Sequence, residues 1–73
     1  MYKWVDILKE NELTIFEFCK RSEKLEHPIN RHNAYAWAKG RGLPNVRMAH
    51  YFTLSFNEIV GEIYTTEQLW EKI

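Results

Sequence analysis

The chain holds a single cysteine, Cys19, so no intramolecular disulfide can form and a reducing compartment fits. It has no apolar run near the ~20 residues that a membrane-spanning helix needs. Its first residues are interrupted by Asp6, Lys9 and Glu10, so the apolar stretch of a signal peptide is missing as well. These absences predict a soluble, cytoplasmic protein with no membrane partner. His27, His32 and His50 stand at no metal-ligand spacing with one another or with Cys19, so no metal site is expected. No Ser-His-Asp or Cys-His arrangement, phosphate loop or paired-carboxylate motif is visible. That argues against an enzyme, a cofactor or a small-molecule substrate.

Net charge is also missing: it sums to zero, which speaks against a strongly basic nucleic-acid-binding tail. The distribution is uneven, however. From Phe18 to His50 there are seven bases (Lys20, Arg21, Lys24, Arg31, Lys39, Arg41, Arg47) and two acids (Glu23, Glu26), whereas the rest holds three bases and eight acids. A basic centre is framed by acidic ends; the plain alternative is that these are ordinary solvated helix faces.

Aromatic residues, by contrast, are plentiful. A 73-residue chain makes one domain, residues 1–73, with a small core and marginal stability. Such a core uses some of Tyr2, Trp4, Phe16, Phe18, Tyr35, Trp37, Tyr51, Phe52, Phe56, Tyr64 and Trp70 as filler. It cannot hide them all, so some are expected on a contact surface, where rigid rings bind at low entropy cost.

The spacing predicts a run of short helices. Trp4, Val5, Ile7 and Leu8 share one face of a helix from Tyr2 to Glu10 that stops at Asn11. Thr14 and Glu17 form a capping box, with Leu13 as a staple residue, for a second helix from about Ile15 to Ser22 that turns Phe18 and Cys19 inward. Glu23 to Pro28 is polar, ends in proline and reads as a loop or frayed helix end. Asn30 is a good N-cap for a third helix, which Gly40 and Gly42 end. Asn45 opens a fourth, from Val46 to about Phe52. Ser55 and Glu58 read as another capping box, starting a helix through Ile59, Val60, Ile63 and Tyr64. Thr65 or Thr66 breaks or caps it before Leu69, Trp70 and Ile73. No alternating strand pattern, repeat or linker is present. The expected fold is all-α, a compact bundle of five or six short helices.

The order of these signals resembles the Cro/CI-repressor type of helix-turn-helix family. Leu13-Thr14-Ile15-Phe16-Glu17-Phe18-Cys19 is similar to the start of that family's second helix. Ile29, Asn30, Arg31-His32-Asn33, Ala34 and Trp37-Ala38-Lys39-Gly40 fit its third helix in order: a hydrophobic residue, a small cap, exposed readers, a buried small residue and Trp-x-x-Gly. Leu54-Ser55-Phe56-Asn57-Glu58-Ile59 resembles its last-helix start. The resemblance spans about Leu13 to Ile59 and implies a helix-turn-helix core and a role in transcription regulation.

The sequence departs from that pattern at telling places. Where the family carries a polar side chain that bonds a DNA phosphate, this chain has Ile15 and Phe16. The turn before the third helix is about five residues longer than usual, and that turn sets how a reading helix enters the major groove. Ile15 and Phe16 cannot both face inward with Phe18 and Cys19, because the apolar face would then wrap around the helix. An exposed member of the pair beside Tyr35 makes an apolar patch with a polar rim, which favours a protein partner.

Two functions follow. In the first, the chain looks like a small phage modulator of repression, an antirepressor: it binds a partner repressor and blocks its DNA binding. Ile15, Phe16, Arg31, His32, Asn33 and Tyr35 carry the contact. In the second it is a Cro-like DNA-binding repressor. Arg31, His32 and Asn33 then read operator bases, and Lys39, Arg41 and Arg47 are candidate phosphate contacts.

Overall fold

The computed structural model describes residues 1–73 and is all-α, with five helices in the order α1 (Lys3–Glu10), α2 (Ile15–Ser22), α3 (Arg31–Ala38), α4 (Val46–Val60) and α5 (Thr66–Leu69). No helix is long and apolar enough to cross a membrane. α1 buries the face that its spacing predicts: Trp4, Val5, Ile7 and Leu8. α2 begins at the expected capping box. The Glu17 amide donates to Thr14 Oγ1 at 3.0 Å, and the Thr14 amide donates to Glu17 Oε1 at 3.1 Å. α3 begins where Asn30 Oδ1 accepts the Asn33 amide at 3.0 Å.

α3 ends as its glycine requires. Gly40 lies at φ +78°, in the left-handed region. Its amide donates to the Trp37 carbonyl at 2.9 Å and the Arg41 amide to the Ala36 carbonyl at 2.8 Å, the two bonds of a Schellman stop.

One helix boundary read from the sequence is corrected. Ser55 and Glu58 do not start a new helix; α4 runs unbroken from Val46 to Val60. The Ser55 hydroxyl is buried and donates instead to the His27 carbonyl at 2.7 Å, so it is engaged across the fold and caps nothing. The chain turns after α4 at Gly61, φ +83°. Asn57 then grips the Tyr64 backbone, accepting its amide and donating to its carbonyl, both at 3.0 Å. A second capping box, Thr65 with Gln68, starts α5.

The core is largely aromatic. Phe52, wholly buried, stands at its centre, with Trp4 and Trp70 each 5.1 Å away between ring centroids, Phe18 at 5.4 Å, Phe56 at 5.9 Å and Trp37 at 6.2 Å. Most of these pairs meet edge to face or tilted, the arrangement that the ring quadrupoles favour. The segment after α4 closes the bundle by bringing Trp70 against Trp4, Trp37 and Tyr2. Main-chain bonds then tie the two ends of the sequence together: Lys3 donates to Glu71 at 2.8 Å, Ile73 donates to Met1 at 2.9 Å, and Tyr2 pairs with Lys72. Only Phe16 and Tyr35 among the aromatic residues are left exposed.

Candidate binding surface

Those two rings belong to neighbouring helices, and the connection between the helices determines where they sit. Eight residues, Glu23–Asn30, join α2 to α3, against the 3–4 that are typical of a helix-turn-helix turn. The connection is fastened at both ends. Ser22 donates its hydroxyl to the Cys19 carbonyl at 2.6 Å and accepts the Ile29 amide at 2.8 Å. The His27 carbonyl accepts from Ser55, and the His27 ring stacks on Tyr51 at 3.9 Å and 7° between planes. Ile29 thereby enters the core, and Arg31, two residues on, is delivered beside α2.

Arg31 arrives over Phe16. Its guanidinium carbon lies 5.0 Å from the centre of that ring, and the Lys20 ammonium, one turn along α2 from Phe16, lies 5.9 Å from it. Both are within cation–π range. Phe16 is 41 % exposed, so this is a surface ring with two cations above it. An open groove of about 520 Å³ runs between α2 and the segment entering α3, lined by Phe16, Cys19, Lys20, Glu23, Pro28, Ile29, Asn30 and Arg31.

Ile15 and Phe16 divide as the helix geometry demands. Ile15 is half-buried and packs against the core, so of the pair only Phe16 is exposed. Ile15 still shares a hollow with Tyr35, between α1 and the start of α2. Tyr35 also lines a second hollow on the other side, with His32, Ala36, Lys39 and Arg41. The structure therefore brings Phe16 to Arg31, Ile15 to Tyr35, and Tyr35 to His32, Lys39 and Arg41. Asn33 is half-buried, Arg47 is exposed in the first turn of α4, and neither lines any of these hollows.

The local electrostatics match the geometry. The Glu17 carboxyl is held below its ordinary value, first by the hydrogen bond from the Thr14 amide and then by the Thr14 hydroxyl. Burial pushes the Cys19 thiol up to about 11, although Arg31 nearby opposes the shift. A thiol held in that form is no nucleophile at neutral pH. The single close contact between a carboxylate and a basic side chain is Glu26 with His27, at 4.0 Å. Lys20, Arg31, Lys39 and Arg41 thus have no carboxylate partner within the chain. No group of three or more His, Cys, Asp or Glu side chains is placed to hold a metal ion.

Sequence reasoning gave no part in this surface to Ser22, His27, Tyr51 and Ser55, which fix the connection, or to Lys20, which completes the cover over Phe16. Lys20 had a signal: it lies four residues after Phe16 on one helix face. The other four act through contacts between distant residues that no local pattern encodes. Compared with known proteins, this chain matches no family model, no curated protein and no solved structure.

Proposed function

We propose that the chain is a cytoplasmic regulator of transcription, an antirepressor that docks on a partner repressor through the α2–α3 face and blocks the partner's access to DNA. One observation carries this reading: Phe16 is exposed in the first turn of α2, where the resemblance to Cro/CI-type domains puts a polar phosphate contact. An apolar ring there loses a DNA contact and gains a protein one. Tyr35 extends the same surface along α3. The eight-residue connection supports it further, since a tight turn is what aims a reading helix into the groove.

A Cro-like DNA-binding role has its own support in the unpaired Arg31, Lys39 and Arg41. It has less from Asn33, which is half-buried.

The test is to add the purified chain to purified Cro/CI-type repressors, each bound to its operator, and to follow them by gel shift for one that is released. Stoichiometric release of operator is expected. Direct binding of duplex DNA by this chain alone, tighter than the ~10⁻⁴–10⁻⁶ M of ordinary non-specific binding, would favour the DNA-binding role and sink the antirepressor reading.

A further inference from the structure

The chemistry of the face says what kind of surface it fits. Resting on the reading of α2–α3 as a protein-docking face, we infer that its occupant is an acidic segment of the partner that carries a large apolar anchor. The two hollows along this face hold four cations, Lys20, Arg31, Lys39 and Arg41, and one acid, Glu23. None of the four pairs with a carboxylate of its own chain. Each hollow also holds one exposed ring, Phe16 in the first and Tyr35 in the second. Cations without counter-charges around aromatic side chains are complementary to carboxylates around an apolar side chain. The guanidinium of Arg31 offers a planar fork that a carboxylate fills with two bonds.

The same observations disfavour a nucleic acid. Arg31 and Lys20 already engage the Phe16 ring, so a base stacking on that face competes with both cations, whereas a carboxylate binds the cations themselves. The domain measures only 26 × 24 × 21 Å and carries no net charge, so a long polyphosphate meets no overall attraction. A short acidic segment needs only the local cations. An antirepressor built this way grips its target by an acidic element and not by the target's basic DNA-reading surface.

The experiment selects binders from a displayed library of random 16-residue peptides on the intact chain, then counter-selects on Phe16→Ala. Phe16 is exposed, so this variant keeps the fold; circular dichroism checks that. Peptides that bind wild type and lose at least tenfold in affinity on Phe16→Ala are expected to be net negative with at least one large apolar residue. Their affinity is expected to fall at least tenfold again on Arg31→Gln, and to fall as salt rises and the screening length drops below the ~8 Å of physiological buffer. If the Phe16-dependent peptides are neutral or basic, the acidic occupant is overturned while the docking face stands. If none depends on Phe16, the groove is not a docking site. If a sixteen-residue oligothymidine displaces the peptides and binds more tightly, both this inference and the antirepressor reading fail.

Discussion

Ser22→Ala tests whether one hydroxyl sets the course of the α2–α3 connection. Ser22 is wholly buried; its oxygen donates to the Cys19 carbonyl and accepts the Ile29 amide, and Ile29 is itself only 9 % exposed. Alanine fits the same space but leaves the buried Ile29 amide without its partner. An orphaned buried donor costs about 1–3 kcal/mol. Alanine returns up to about 0.5 kcal/mol through its higher helix propensity. The net loss is therefore about 0.5–3 kcal/mol, against the roughly 4–11 kcal/mol available to a domain of 73 residues. At about 4–8 °C per kcal/mol for a domain of this size, Tm falls by about 2–24 °C. Urea unfolding followed by tryptophan fluorescence gives the free energy, with an unchanged slope expected because the surface exposed on unfolding is the same. Hydrogen exchange then localises the effect: the Ile29 amide loses protection first. A loss below about 0.5 kcal/mol with Ile29 still protected would refute the reasoning, since the connection would then be held by something else.

Three further outcomes are expected. Phe52→Ala removes the ring at the centre of the aromatic core and costs about 3–5 kcal/mol; chemical denaturation measures it, and a loss under about 2 kcal/mol would mean that the cluster can collapse onto the gap. Cys19, buried and with its thiol pushed up to about 11, reacts with a disulfide reagent at pH 8 at least about a hundredfold more slowly than glutathione, and the rate follows the unfolded fraction as urea is added; labelling within a few-fold of glutathione would contradict the burial. Glu17 has its folded-state value lowered, so its contribution is present above its ordinary carboxylate range and is lost as pH falls through the folded value. Glu17→Gln keeps a capping side chain that cannot ionise, so acid unfolding curves of the variant are flatter as pH falls through and below the ordinary carboxylate range; identical curves would show that the Thr14 hydrogen bonds do not act on this carboxyl.

Much of the architecture was legible because it is locally encoded. Thr14 with Glu17, Asn30, Asn45 and Gly40 all act on residues within one turn of themselves, and their patterns named α2, α3 and α4 at the right starting places. Ser55 misled for the opposite reason. A serine three residues before a glutamate satisfies the capping pattern, but its hydroxyl takes whichever acceptor is nearest, and here the His27 carbonyl is supplied from far along the chain. The apolar spacing of Phe52, Phe56 and Ile59 runs straight across the supposed boundary and was the better guide. At the candidate surface, the sequence could show that Ile15 and Phe16 would not both be buried, but not which would turn in. That was settled by the pose of α2 against α1 and α3. The approach of Arg31 to Phe16 depends on two serines and a stacked histidine, and so lay beyond any reading of neighbours in sequence.

The pairing of Tyr2 with Lys72 has a consequence of a different kind. It leaves the backbone almost a closed ring, with Met1 and Ile73 held one hydrogen bond apart. Closing a ring of this size in the unfolded chain costs about 4 kcal/mol in entropy, and the terminal contacts offset that expense each time the bundle assembles. A short covalent join between the two ends would remove it in advance and leave the folded contacts as they are. The helices would then keep their places if an exposed turn outside the fastened Glu23–Asn30 connection, such as the one at Gly61, were opened to make new ends. For this bundle, the circular order of its elements carries more of the fold than the position of its ends.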